Sequence, residues 1–256
     1  MKGISNVSVS FSSCLFKSNE GGGISVKTYI GKTTQTMTNI QVEISDSLFT
    51  ENGCTLTNLT YYGGGACFAF ATYQYGLAIS ESHYLVRNVS FINNCGKIGG
   101  GVIYLSGQNR ITSAEIMKNS MEFENCDFSN NSADFGSAVF MSPNVFNKLS
   151  SGSIIAPSFT NCHFRNNSVS KNTTLYSQHG KQSTVGIGTI YTSVYNAYFH
   201  GYNSFGGNWG TAIYVVHGAI NFQNSSALFI NNTGTQGGAV ALIGSCIYAY
   251  SGTKEL

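Results

Sequence analysis

Apolar residues along this chain come in short bursts, and nearly every burst is organised around one phrase, a Phe followed three places later by Asn. The phrase occurs at Phe16/Asn19, Phe49/Asn52, Phe91/Asn94, Phe128/Asn131, Phe164/Asn167, Phe205/Asn208 and Phe229/Asn232. Each F-x-x-N tetrad precedes a Gly-led turn and an apolar run, such as GGGISV from Gly21, GSAVFM from Gly136 and GGAVALI from Gly237. Subtracting the Phe positions gives intervals of 33, 42, 37, 36, 41 and 24 residues. The shortest interval predicts one complete structural repeat, and the longer ones the same repeat carrying loop insertions.

Within a repeat, alternation shows which side chains share a face. The position two before the tetrad Phe holds Cys14, Ser47, Val89, Cys126, Cys162, Asn203 or Ala227, and the position five before it holds Phe11, Ile44, Val86, Phe123 or Phe159 in the first five copies. Steps of two keep side chains on one face of a strand, whereas the step of three between these positions demands a bend, placed on polar pairs such as Glu124-Asn125 and Thr160-Asn161. Each repeat therefore reads as strand, bend, strand, Gly turn, strand. The last complete one gives AIYVV from Ala212, AINFQ from Ala219 and ALFIN from Ala227, with AVALI from Ala239 one layer on. Three short strands per repeat, with like residues stacked from layer to layer, predict an all-β chain folded as a parallel β-helix of about seven coils. Residues 1–256 then form one domain. Asn19, Asn52, Asn94, Asn131, Asn167, Asn208 and Asn232 become a ladder of side-chain amides satisfying backbone groups and one another, a structural role.

F-x-x-N paired with G-G-A-[ILV] resembles the repeat signature of the chlamydial polymorphic outer-membrane proteins, and similar repeats occur in large extracellular proteins of invertebrates. The resemblance runs from about Phe11 to Ile243, and its best copy is Phe229-Ile-Asn-Asn232 with Gly237-Gly-Ala-Val240. It implies a right-handed parallel β-helix, display at a cell surface or outside the cell, and adhesion. No segment near the C-terminus alternates as a membrane barrel would, so the expectation is a passenger-type region of a longer surface protein.

Composition narrows the partners. With 42% hydrophobic residues, 30 Gly and only 2 Pro, the chain has a core to bury and many tight turns to make. Only 9% of residues are charged and the net charge is +2, so no basic stripe exists to neutralise a phosphate backbone and nucleic acid is not an expected partner. No run of about 18 apolar residues marks a membrane span. The opening MKGISNVSVSF lacks the apolar stretch of an export signal. Among the seven cysteines there is no C-x-x-C. Cys126 and Cys162 occupy identical places in adjacent repeats and are candidates for a disulfide, or else for stacked buried thiols. Cys54 and Cys95 form a second candidate pair, one residue out of register. Asn6, Asn58, Asn88, Asn130, Asn166, Asn172, Asn224 and Asn231 head N-x-[ST] sequences, and three of them, Asn130, Asn166 and Asn231, precede a ladder Asn and should lie at exposed turns.

Catalytic motifs are sparse. GKT at Gly31 lacks the first glycine of a P-loop, because that place holds Val26; H-E-x-x-H does not occur; and GYNSFG from Gly201 is one residue too long for a nucleophile elbow. Three Asp in all (Asp46, Asp127, Asp134) are too few for a clustered acidic cation site, so no metal or cofactor is expected. One constellation has catalytic residue types. Asp127 and His163 each sit one before a tetrad Phe, hence outward and stacked, with Arg165 two further along, and a carboxylate beside His and Arg can exchange protons with a sugar substrate. The row supplies no second carboxylate for the pair that glycoside hydrolysis normally uses. Tyr-rich stretches, YYGGGACFAFATYQYG from Tyr61 and YNAYFHGYNSF from Tyr195, offer surfaces for sugars or proteins. Segments near Lys27 to Gln41 and Ser142 to Ala156 are expected to protrude and to carry binding residues. Together these features point to a non-catalytic recognition or adhesion module meeting a protein or carbohydrate at a cell surface. A polysaccharide lyase or glycoside hydrolase using Asp127, His163 and Arg165, and a passive spacer, are the alternatives.

Overall fold

A computed structural model describes residues 4–20, 22–28, 36–53, 68–72, 78–80, 83–96, 103–107, 120–133, 136–143, 156–169, 174–175, 183–184, 190–193, 197–216, 219–234, 237–244 and 246–250. The described residues are all-β, with no helix among them. A 14-stranded sheet and a 7-stranded sheet dominate. Every pairing within these two sheets is parallel between residues distant in sequence. In the smaller sheet the strands Ile24–Thr28, Phe68–Thr72, Ile103–Gly107, Val139–Pro143, Ile190–Ser193, Ile213–Val216 and Val240–Ile243 lie side by side in chain order. Within the larger one the tetrad strands Leu15–Lys17, Leu48–Thr50, Ser90–Ile92, Asp127–Ser129 and His163–Arg165 follow the same rule, and so do the strands preceding them, Ile4–Ser12, Thr36–Ser45, His83–Arg87, Ser120–Glu124 and Ala156–Thr160. The chain thus visits three strand columns in rotation.

Conformation at two corners explains why the tetrad has its spacing. The residue two after the Phe is left-handed in all seven tetrads, and in six of them it is not glycine: Ser18, Glu51, Asn93, Asn130, Asn166 and Asn231 have φ between 52° and 58°. In the remaining one Gly207 takes that conformation with φ 62°. A left-handed residue turns the chain, so the Phe and the Asn three places on both point inward. Asn predominates at the corner because its short amide tolerates this region better than other non-glycine side chains. A matching corner three before the Phe holds Ser13, Asp46, Asn88, Asn125 and Asn161, again at positive φ.

Inside, the tetrad rings stack face to face. Phe16, Phe49, Phe91, Phe128, Phe164, Phe205 and Phe229 pair in strict register, with successive centroids 4.3, 5.1, 5.0, 4.6, 4.8 and 4.8 Å apart. A second file, Phe123, Phe159, Phe199 and Phe222, runs beside the first at 5.2, 5.4 and 5.0 Å. Edge-to-face contacts such as Phe159 on Phe164 at 5.5 Å lock the two files together. The second file departs from the five-residue spacing in the last two repeats, because Phe199 lies six and Phe222 seven residues before its tetrad Phe. There the two strands expected on either side of the bend merge into Ala197–Gly206 and Ala219–Ile230, and a register shift between Phe199 and Gly201 absorbs the difference. Strands also take up the ends of both segments expected to protrude: Lys27 and Thr28, Thr36 to Gln41, Ser142 with Pro143, and Ala156. Alternation such as TMTNIQVEIS has strand character, which outweighs its place in a long interval. Residues 29–35 and 144–155 lie outside the described residues.

A row of amides runs beside the rings. The backbone N–H of Asn19, Asn52, Asn94, Asn131, Asn167 and Asn208 each donates to the Oδ1 of the next tetrad Asn at 2.9 to 3.2 Å. The Nδ2 of the same six residues also reaches that Oδ1, at 2.7 to 3.1 Å. From Asn52 onward each Nδ2 turns back to the carbonyl of the preceding layer's Phe, as Asn131 does to Phe91 at 2.9 Å. Asn52, Asn94, Asn131, Asn167 and Asn208 are buried, and removing one amide strands several buried donors and acceptors at once. Asn131→Ala should therefore cost about 3 kcal/mol or more in denaturant unfolding, whereas Asn125→Ala at the exposed corner should cost about 1 kcal/mol. Phe164→Ala, which opens the ring file between two stacked neighbours, should cost about 3–5 kcal/mol in the same measurement.

Candidate functional site

Along each tetrad strand the residues flanking the Phe point outward, and stacking gathers them on one face. In order they are Leu15 and Lys17, Leu48 and Thr50, Ser90 and Ile92, Asp127 and Ser129, His163 and Arg165, Ser204 and Gly206, Leu228 and Ile230. Asp127 pairs directly with His163, and Arg165 with Ser129. The structure therefore brings Asp127, His163 and Arg165 together.

Their bonding is specific. Arg165 reaches diagonally to Asp127, with Nη2 on Oδ2 at 2.7 Å and Nε on Oδ1 at 3.3 Å, so both carboxylate oxygens are held by one guanidinium. His163 turns the other way, with Nδ1 2.8 Å from Ser204 Oγ and its ring 6.1 Å from that of Tyr202. Ser204 was legible only as the residue at the equivalent outward place, and its bond to His163 depends on which side chains stack across a separation of 41 residues. The same His–Ser pairing recurs between His83 and Ser120 at 2.9 Å, which makes it a cross-strand ladder contact of this fold. Ser204 donates its own N–H to Cys162 O at 3.0 Å, as the other strand amides do to their ladders.

Aromatic and aliphatic groups border this cluster. Tyr202, Trp209, Leu228 and Ile230 are exposed by 46, 48, 41 and 48%. Leu228 and Ile230 flank Phe229 on the last tetrad strand and Tyr202 pairs with Ser226 just before that strand, whereas Trp209 lies past the corner at Gly207, where it bridges Ser168 and Thr233. Of the Tyr-rich stretches, Tyr61 to Cys67, Tyr73 to Gly76 and Tyr195 with Asn196 lie outside the described residues.

All six described N-x-[ST] asparagines are exposed corners. Asn6, Asn88, Asn130, Asn166, Asn224 and Asn231 have φ between 48° and 57°. Asn58 and Asn172 lie outside the described residues. The cysteines divide differently. Cys126 and Cys162 are free thiols, buried in the interior. In parallel register their side chains point the same way about 4.8 Å apart, whereas a disulfide needs its Cβ atoms within about 4 Å, so the two stack as thiols and form no disulfide. Cys95 is in a disulfide, while its expected partner Cys54 lies outside the described residues. No group of three metal-ligating side chains converges among the described residues.

No family model matches this chain, and neither does any curated protein or solved structure.

Burial, reinforced by a hydrogen bond with Cys126, pushes the Cys162 thiol well above its ordinary range. A native thiol that holds its proton longer than the unfolded one stabilises fully at neutral pH and below. That contribution fades as pH rises from the ordinary thiol range toward the raised native value. Cys162→Ala should therefore flatten the alkaline limb of the stability profile measured by denaturant unfolding. In the native chain a thiol reagent at neutral pH should leave Cys126 and Cys162 unlabelled, and peptide mapping should find both modified only after unfolding.

Proposed function

We propose that the three strand columns close into a right-handed parallel β-helix of seven coils, of the type that resembles the chlamydial polymorphic outer-membrane repeats. On this scaffold the protein acts as a recognition module at a cell surface or outside the cell, without catalysing a reaction. The observation that carries the reading is the outer face of the tetrad strands. There Tyr202, Leu228 and Ile230 stand exposed near the His163–Ser204 and Arg165–Asp127 pairs, with Trp209 exposed just past the corner that follows. Rigid aromatic anchors among fixed polar groups, on strands locked by stacking, are the ingredients of a binding surface. The disulfide at Cys95 agrees with an oxidising environment, where such bonds persist. Within the described residues no helix is long and apolar enough to cross a membrane.

Retention of the labelled chain on intact cells tests this reading. The Tyr202→Ala, Trp209→Ala double variant should melt with the parent and lose retention by about tenfold or more. Equal retention of both would remove the outer face from recognition.

The convergence of Asp127, His163 and Arg165 favours one second reading, a polysaccharide-cleaving enzyme. Incubation with acidic and neutral polysaccharides should release no new chain ends. Release that disappears in Asp127→Ala, His163→Ala would establish catalysis on this face.

A further inference from the structure

On the corners preceding four consecutive tetrad strands lies a second file of polar side chains, exposed where the tetrad Asn row is buried. Asn88 Nδ2 donates to Asp46 Oδ1 at 3.1 Å, Asn125 to Asn88 at 3.4 Å and Asn161 to Asn125 at 3.4 Å. Tyr202 closes the file by donating its backbone N–H to Asn161 Oδ1 at 2.9 Å. All four corner residues have left-handed backbone and face solvent. Gly201 makes the closure possible, since a Cβ there would lie 2.2 Å from Asn161 Oδ1.

We infer that this file binds a linear, uncharged polysaccharide lying along the stacking direction, an inference that rests on the reading of the outer surface as a recognition surface. Three properties define that ligand. An amide has two donor hydrogens and two acceptor sites, and the file uses one of each in Asn88, Asn125 and Asn161, so every amide rung still offers one donor and one acceptor to solvent. Hydroxyl groups, which donate and accept together, match that pattern, whereas an anion would use the donors alone and meet Asp46 with repulsion. The rungs repeat at about 4.8 Å, slightly shorter than the advance of one sugar in an extended β-1,4-linked chain, whose sugars alternate in orientation, so a short chain presents a hydroxyl-bearing edge, one and then the other, to successive rungs. A peptide, advancing about 3.3 Å per residue, falls out of step. At the end of the file the half-exposed ring of Tyr202, 6.1 Å from the ring of His163, offers an apolar face for the C–H side of a terminal sugar. The rungs are held by their corners and by one another, so little ordering accompanies binding.

Calorimetry of the whole chain with β-1,4-linked gluco- and manno-oligosaccharides of two to six sugars tests this, alongside retention on intact cells with and without the same oligosaccharides as competitors. Asn125→Gly removes a rung while keeping the left-handed corner, and Tyr202→Ala removes the platform. Affinity should rise with length until about four rungs are spanned, fall about tenfold in Tyr202→Ala and severalfold in Asn125→Gly, with melting unchanged in both. Affinity indifferent to length, or equal in both variants, overturns the inference. Cell retention that depends on Tyr202 but is not displaced by any oligosaccharide also overturns it, and leaves the recognition reading standing. Absence of both retention and oligosaccharide binding removes the two together. Binding by a β-strand peptide in place of the sugars would assign the file to a protein partner and equally overturn the inference.

Discussion

The buried amide of the tetrad Asn is the interaction on which the rest of the structure depends. A left-handed corner interrupts each tetrad strand one residue after its last outward side chain, and at such a corner the sheet ladder cannot continue unaided. Within the interior, backbone N–H groups and carbonyls without partners would each be unfavourable by an amount comparable to a lost hydrogen bond. Asn resolves this because its side chain carries a donor and an acceptor on a stem short enough to stay within one layer. Its Oδ1 takes the N–H of the layer before, and its Nδ2 returns to that layer's Phe carbonyl, as Asn167 does to Phe128 at 2.8 Å. Asp lacks the donors, Gln is a carbon too long, and Ser has too little reach to do both. The same residue type is therefore demanded at the same place in every repeat.

Once that row is fixed, the aromatic packing follows from it. Phe and Asn lie three residues apart across the corner, so a register set by the amides also sets the rings. The polar position two before the Phe shows the rule in miniature. Ser47 Oγ takes the N–H of Cys14 at 3.0 Å and Asn203 Oδ1 takes that of Cys162 at 3.0 Å, whereas Val89, Cys126 and Cys162 fill the place with apolar bulk or sulfur. Hydrogen bonding is optional there and obligatory at the tetrad Asn.

These differences explain what could be read from the residues alone. Tetrad Phe and Asn were visible because they recur as identical letters at fixed separation. Phe199 and Phe222 escaped that reading because an added residue or two moves them off the common spacing, and only the bulge restores them to the ring file. The outward cluster was half legible. Asp127, His163 and Arg165 could be placed on one face by counting, but the choice of His163 for Ser204 and of Arg165 for both oxygens of Asp127 is made by side-chain reach. Counting assigned Asn94 to a ladder but did not reveal the exposed row that Asn88 joins. Their burial is decided by the handedness of the backbone one residue before Asn94 and at Asn88 itself.

Variable intervals joined to an invariant rung have a consequence at the level of the gene. Each layer bonds only to the layers beside it, and the rung accepts any neighbour bearing the same amide. Tetrads separated by 24 residues and by 42 fit the same stack, so the length of the excursion between rungs is of no concern to the interior. Unequal recombination that deletes or duplicates one repeat would yield a chain whose interior still matches at the new junction. Such a coding sequence can lengthen, shorten or exchange its surface excursions by crude rearrangement, without the coordinated core changes that a globular domain would need.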